Sequence, residues 1–186
     1  VTSLLLSVGT LTMAQAKLDP KAINFSKVDA SPLDVVYYPL SATKVMEKKA
    51  SNPEIRVTYS RPQSKGRVIF GNLVKYNEVW RFGANENTEI KFYKPVVIDG
   101  KTIAAGAYSV FAIPTENDWT IILNKATDVW GAYSYDTTKD VIRVKVPVTK
   151  LSTPVENFSV TFVQKDGGAD MVAAWDSAQV SLPIKF

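Results

Sequence analysis

Between Arg56 and Arg81 the chain sets Arg56, Arg61, Lys65, Arg67, Lys75 and Arg81 against one acid, Glu78. This stretch is net +5 and the remainder net −1, within a total of +4. Four of the five arginines lie here. A guanidinium, unlike an ammonium, presents a planar fork that matches a carboxylate or phosphate. The chemistry in prospect is anion binding by Arg61, Gln63, Lys65, Arg67 and Arg81. The competing reading is a solvated loop with one or two structural ion pairs, which are common in folded domains. The next segment, Trp80-Arg81-Phe82-Gly83-Ala84-Asn85-Glu86-Asn87-Thr88, runs from bulky residues through a small-residue turn into a polar triplet. Gly83-Ala84 lets the backbone approach either a strand or a ligand closely. Asn85 and Glu86 complete the candidate ligand-binding set, although asparagines here equally close turns. Glu86 is the foremost candidate for a general acid or base. Its competing role is an ion pair with Arg81 or Arg61.

The chain has no Cys and no His. That excludes Ser-His-Asp and Cys-His nucleophiles, thiolate zinc sites and imidazole metal ligands together. Catalysis would have to come from carboxylates, Lys, Tyr, Ser or Thr. A glycosidase needs two facing carboxylates. Glu86 has no obvious partner nearby in sequence, and Asp118, Asp136 and Asp176 are the distant alternatives. Asp166-Gly167-Gly168-Ala169-Asp170 lacks the ligand spacing of a calcium loop and reads as a hairpin turn. No metal and no cofactor is expected. Trp119, Trp130, Trp175, Tyr133 and Tyr135 could stack on sugar rings. Strand alternation assigns Trp119 and Trp175 to the core, whereas Trp130 to Tyr135 lies in an irregular stretch and reads as an exposed aromatic surface.

These residues need elements to position them. Hydrophobic residues make up 46% and charged residues 22%, which argues against both disorder and a membrane bundle. Residues 1–16 read as a signal peptide lacking its start: Leu4, Leu5, Leu6, Val8 and Leu11 form the apolar run, and Ala14-Gln15-Ala16 the cleavage site. That run is shorter than the ~20 residues of a membrane anchor, so the mature chain is expected to carry no transmembrane segment. The expectation is a periplasmic or secreted protein with one β domain over 17–186. Ser31 to Pro39 reads as an edge strand and Leu40 to Asn52 as one helical turn, with Lys44, Lys48 and Lys49 exposed. From Glu54 a period of two predicts strands at 54–59, 67–70, 88–93, 96–98, 107–113, 119–123, 141–148, 157–164, 170–175 and 179–184. Asp99-Gly100 marks a tight hairpin. Many short strands without a long amphipathic helix predict an all-β antiparallel sandwich, jelly-roll-like or related, with few short helices.

Three segments together resemble a known family: Ser60 to Gly71, Trp80 to Thr88, and Ala105-Gly106-Ala107-Tyr108-Ser109-Val110-Phe111-Ala112-Ile113-Pro114. With Ser31 to Pro39 and Trp119 to Lys125, they are similar to the bacterial domain-of-unknown-function family 2911 over residues 31–186. The resemblance implies an exported Gram-negative protein with one compact domain, and supplies no catalytic residues. Lys75 and Phe82 depart from the pattern, the latter where a smaller residue is expected, which puts the packing around Gly83 in question. The leading functional expectation is an envelope or periplasmic module binding a small anionic or carbohydrate ligand. The alternatives are a hydrolase using Glu86 with an arginine partner, and a structural or protein-interaction role in the envelope. Nucleic acid is not an expected partner, since the overall charge is modest and an exported chain rarely meets it.

Overall fold

The structure, a computed structural model, describes residues 23–43 and 51–186. The signal-peptide reading and the exposed Lys44, Lys48 and Lys49 lie outside those residues. Ten strands occur among the described residues: β1 (Leu33–Tyr38), β2 (Ile55–Ser60), β3 (Thr88–Phe92), β4 (Val96–Ile98), β5 (Lys101–Ile103), β6 (Gly106–Pro114), β7 (Asp118–Asn124), β8 (Asp140–Pro147), β9 (Thr149–Lys165) and β10 (Gly168–Lys185). They form a six-stranded sheet, β1-β2-β3-β6-β7-β8, and a four-stranded sheet, β5-β4-β10-β9. Every ladder is antiparallel. The all-β sandwich is therefore the observed fold, and the helical content among the described residues is two short 3₁₀ turns, Leu40–Thr43 and Thr137–Lys139. Most neighbours in the sheets are consecutive in the chain, and the β4–β5 hairpin lies in the second sheet.

The period of two explains the layers. In β2, Ile55, Val57 and Tyr59 are buried while Arg56 and Thr58 face the other side. In β8, Val144 and Val146 are buried while Arg143 and Lys145 are exposed. Asp99 and Gly100 have φ of 47° and 74° and join β4 to β5, whose register pairs Ile98 with Lys101, so the two-residue hairpin is as expected.

Two expectations need correction. Residues 67–70 are not a strand. Gly66 and Gly71 bracket them in left-handed conformations, and their backbone bonds close locally, Arg67 N–H to Ser64 and Val74 N–H to Ile69. The segment buries Ile69 and turns Phe70 toward the aromatic core, while Val68 is left exposed. The stretches 170–175 and 179–184, in turn, are arms of one element, β10. Its ladder with β9 shifts register twice around Asp176, which has a φ of 52°, so a bulge joins what were expected as two separate strands. The arms meet again at their ends. A straight run from Gly168 to Ile184 would cover about 50 Å, yet a Cβ at Gly168 would lie 2.1 Å from the Ile184 carbonyl oxygen. Phe186 N–H also donates to the Gly167 carbonyl at 3.1 Å.

The core is aromatic where the connection between β2 and β3 packs on the sheets. Trp119 and Trp175 are buried, as alternation predicted, and Trp80 stacks on Trp175 with ring centres 6.0 Å apart while meeting Trp119 edge-on at 5.7 Å. Phe70, Phe82 and Phe158 complete the cluster. Phe70, Trp80 and Phe82 come from the long connection between β2 and β3. Burying each is worth about 1.5–3 kcal/mol, and this fixes a connection that has few ladder bonds of its own. Phe82, the departure from the family pattern, is fully buried at a φ of 54°.

Candidate functional site

The seven predicted site residues divide into three groups. Arg61 leaves β2 with its fork fully engaged: Nη1 to Asp34 Oδ2 at 3.0 Å, Nη2 to Ser159 Oγ at 2.8 Å and Nε to the Phe158 carbonyl at 3.3 Å. It ties β1 to β9. Gln63 forms a backbone bridge with Asn157, and Lys65 occupies a left-handed turn with Gly66, side chain exposed. These three do not line the cavity described next.

The hairpin from Gln63 to Arg67 is held by a residue that sequence reasoning missed. Glu156 on β9 accepts from the Ser64 hydroxyl and, at 2.9 Å, from the Lys65 N–H. Chiefly the Ser64 bond, then the Lys65 amide, with smaller help from the charges of Arg67 and Lys65, hold its carboxyl below the usual glutamate range. Nothing local to Glu156 signals this, because the contact spans 92 residues.

Arg67, Arg81 and Asn85 do converge. With Pro62, Gly83 and Ala84 they line a cavity of about 300 Å³ backed by Trp80 and Trp175. Arg67 donates from Nε to the Ser64 carbonyl at 3.0 Å and from Nη2 to the Gln63 carbonyl. Arg81 is half-buried, donates from Nη1 to the Asn85 carbonyl at 3.0 Å, and holds its guanidinium carbon 5.6 Å from the Tyr133 ring centre. No carboxylate among the described residues lies within ion-pair distance of Arg81. A second cavity, about 290 Å³, shares Leu73, Val74, Trp80 and Arg81 with the first and continues to Lys75, Glu78 and Tyr133. Arg81 thus borders both halves of one groove.

Glycine makes this geometry possible at two places. A Cβ on Gly83 would lie 3.1 Å from the Ser60 carbonyl oxygen, so the close approach anticipated there is to strand β2, while the same residue borders the cavity. A Cβ on Gly131, φ +65°, would lie 3.1 Å from the Arg81 guanidinium carbon and 3.0 Å from the Tyr133 ring. Asn85 sits at φ 57°, a left-handed conformation that asparagine tolerates, but its side chain does not close the turn: Nδ2 donates to Asp29 Oδ1, 56 residues away, at 3.0 Å.

Glu86 lies apart from this group. It is exposed and lines a different cavity of about 360 Å³, with Leu33, Arg56, Thr58, Glu89, Asp128 and Trp130 among its walls. The anticipated pairing of Glu86 with Arg81 or Arg61 is not formed, since Arg61 pairs with Asp34 and Arg81 with no acid. Arg56 on the same wall already pairs with Glu89 at 3.0 Å. Asp118, Asp136 and Asp176 are not among the lining residues; the carboxylates that share the cavity are Glu89 and Asp128. Among the described residues no three acids are grouped so as to hold a metal ion.

The segment from Trp130 to Tyr135 is an exposed aromatic surface in part. Trp130 is 58% and Tyr133 83% exposed. Tyr135 instead turns inward, its ring 5.0 Å from Phe111 and its hydroxyl donating to Asp140 Oδ2 at 2.7 Å. Burial, and then the Asp140 carboxylate that accepts its proton, push its pKa up to about 12.

An antiparallel sandwich with a long aromatic-anchored connection, whose basic side chains frame a groove, is the class these features define. Within it the chain belongs to the family described as Protein of unknown function (DUF2911), whose model matches residues 41–184. Comparison with curated proteins and with solved structures found no match. No helix among the described residues is long and apolar enough to cross a membrane.

Proposed function

We propose that this protein is a non-catalytic exported binding module, periplasmic or secreted, that holds a small anion in the groove between Arg67 and Arg81. The observation that carries the reading is the state of Arg81: half-buried, bordering both cavities, bonded to a carbonyl and without a carboxylate partner among the described residues. A guanidinium so placed has donors and charge left for a carboxylate, phosphate or sulfate group. Arg67 adds a second fork, whose charge Glu156 offsets only in part and at longer range. The backing indoles keep the wall apolar, which strengthens charge-assisted bonds. Citrate, phosphate, sulfate and glucuronate, titrated against the thermal midpoint of the protein, test the reading. An anion that raises Tm with concentration in the parent but not in Arg81→Ala supports it. The same rise in Arg81→Ala, or none with any anion, removes it.

A second reading, a hydrolase acting through Glu86, gains from one observation: Glu89 and Asp128 share the Glu86 cavity. It needs two carboxylates about 5–10 Å apart astride a substrate, and Glu89 is already committed to Arg56. Release of 4-nitrophenol from aryl glycosides by the parent and not by Glu86→Gln would establish it.

A further inference from the structure

The exposed indole of Trp130 stands on a loop that is firmly built. Asn87 N–H donates to the Val129 carbonyl at 3.2 Å, and Val129 N–H donates to Asn87 Oδ1 at 3.2 Å. Glu86 and Trp130 form a backbone bridge. Further along, Asn124 Nδ2 donates to the Asp136 carbonyl at 2.9 Å, and Tyr135 and Arg143 both bond Asp140. A large apolar ring held out to water by this many bonds loses burial that a slack loop would recover, and such exposure marks a contact surface. Beside the ring is the cavity of about 360 Å³, within the size range of small-ligand sites.

Its polar wall is mixed in kind. Thr58 supplies a hydroxyl, Glu86 and Asp128 supply carboxylates, and Glu89 is paired to Arg56. The Glu86 side chain bonds no described residue, and Arg56 Nε is buried with no acceptor. Donors and acceptors of both signs around one flat ring suit a molecule that carries hydroxyls on its rim and C–H groups on its face. That is a pyranose. An anion fits poorly, because the carboxylates here outnumber the one arginine and repel it.

We infer that the Trp130 cavity is a second site, separate from the Arg81 groove, that binds an uncharged saccharide by stacking one pyranose ring on the indole. Glu86 and Asp128 accept from its hydroxyls. The site shares no lining residue with the Arg81 groove, and the 85–87 segment lies between the two, with Asn85 on one cavity and Glu86 on the other.

The test follows tryptophan emission and calorimetric heat while the parent is titrated with cellotriose, maltotriose and N,N′,N″-triacetylchitotriose. Trp80, Trp119 and Trp175 are buried, so a blue shift on binding reports the exposed indole. The expected result is saturable binding of at least one of the three that falls tenfold or more in Trp130→Ala, survives in part in Trp130→Phe, and is unchanged in Arg81→Ala. Circular dichroism and Tm of Trp130→Ala should match the parent, since the side chain is mostly exposed. No saturable binding by any of the three overturns the inference, as does binding that Trp130→Ala leaves intact. Binding lost only in Arg81→Ala moves the sugar to the basic groove and overturns it equally. Anion-induced stabilisation is measured separately, so failure here leaves the reading of the groove to its own test.

Discussion

Arg61 and Arg81 are twenty residues apart, of the same type, and have opposite jobs. Arg61 spends its donors inside the fold, on Asp34, Ser159 and Phe158. Arg61→Ala should therefore lower stability by about 1–2 kcal/mol, mostly from lost hydrogen bonds, because the ion pair is about a third exposed and screened. Anion binding should persist in that variant, which chemical denaturation and titration together would check. Arg81→Ala should do the reverse, leaving the midpoint of unfolding nearly in place and weakening the anion by about ten- to a hundredfold, the scale of one charge-assisted bond of 1.5–3 kcal/mol. A subtler probe leaves every charge intact. Gly131→Ala places a Cβ against both the Arg81 guanidinium and the Tyr133 ring, so it should weaken the anion without changing the net charge. Anion affinity equal to the parent in Gly131→Ala would show that the geometry held by Tyr133 does not matter.

At the scale of elements, the corner in β10 decides whether the two arms can meet. The Ile184 carbonyl leaves no room for a side chain at Gly168, and both partners are backbone that cannot rotate away. Gly168→Ala should cost on the order of 3 kcal/mol or more by forced displacement; a denaturant midpoint equal to the parent would refute the close approach. The sequence made the arms legible and the corner illegible, for a physical reason. Alternation in Met171, Ala173 and Trp175, and again in Val180, Leu182 and Ile184, reports burial on one face, a local property. A bulge changes partners, and the partners here are residues of β9. The same limit applied at 67–70, where the apolar run Val68-Ile69-Phe70 did not record that Val68 stays exposed beside buried Ile69, nor whether another strand lay alongside. Turns fared better, since Asp99-Gly100 and Asp166-Gly167 carry their conformational preference within themselves. Among site residues, the basic run and the Gly83 turn were visible as local composition. Glu156 was not, nor was the separation of Glu86 from Asn85, because both depend on which distant wall each side chain reaches.

For the whole molecule, the cavities and the core answer to different forces, and pH separates them. The aromatic cluster between the sheets has no group that titrates between acid and neutral pH, the Tyr59 phenol beside Phe158 being raised by burial, and should hold across that range. Two of the loops outside that cluster are pinned by carboxylates. Glu156 grips the 63–67 hairpin through Ser64 and Lys65, and Asp136 caps the Thr137–Lys139 turn through the Thr138 hydroxyl and N–H. Those bonds hold both carboxyls below their ordinary values of 4.5 and 3.8. A depressed acid binds fewer protons in the folded state than in the unfolded chain, so its contribution is complete above the ordinary value and is lost as pH falls through the lowered one. The loops should accordingly loosen below about pH 4 while the sandwich stays folded. Amide exchange followed from pH 6 down to pH 3 should show protection vanishing first at Lys65 and Thr138, with β6 and β7 still protected. Ser64→Ala removes the largest support of the Glu156 carboxylate, so its hairpin should open at a higher pH than in the parent, with Thr138 unaffected. Simultaneous loss of protection in the loops and in β6 and β7 would mean that the connection framing the groove folds as one unit with the sheets.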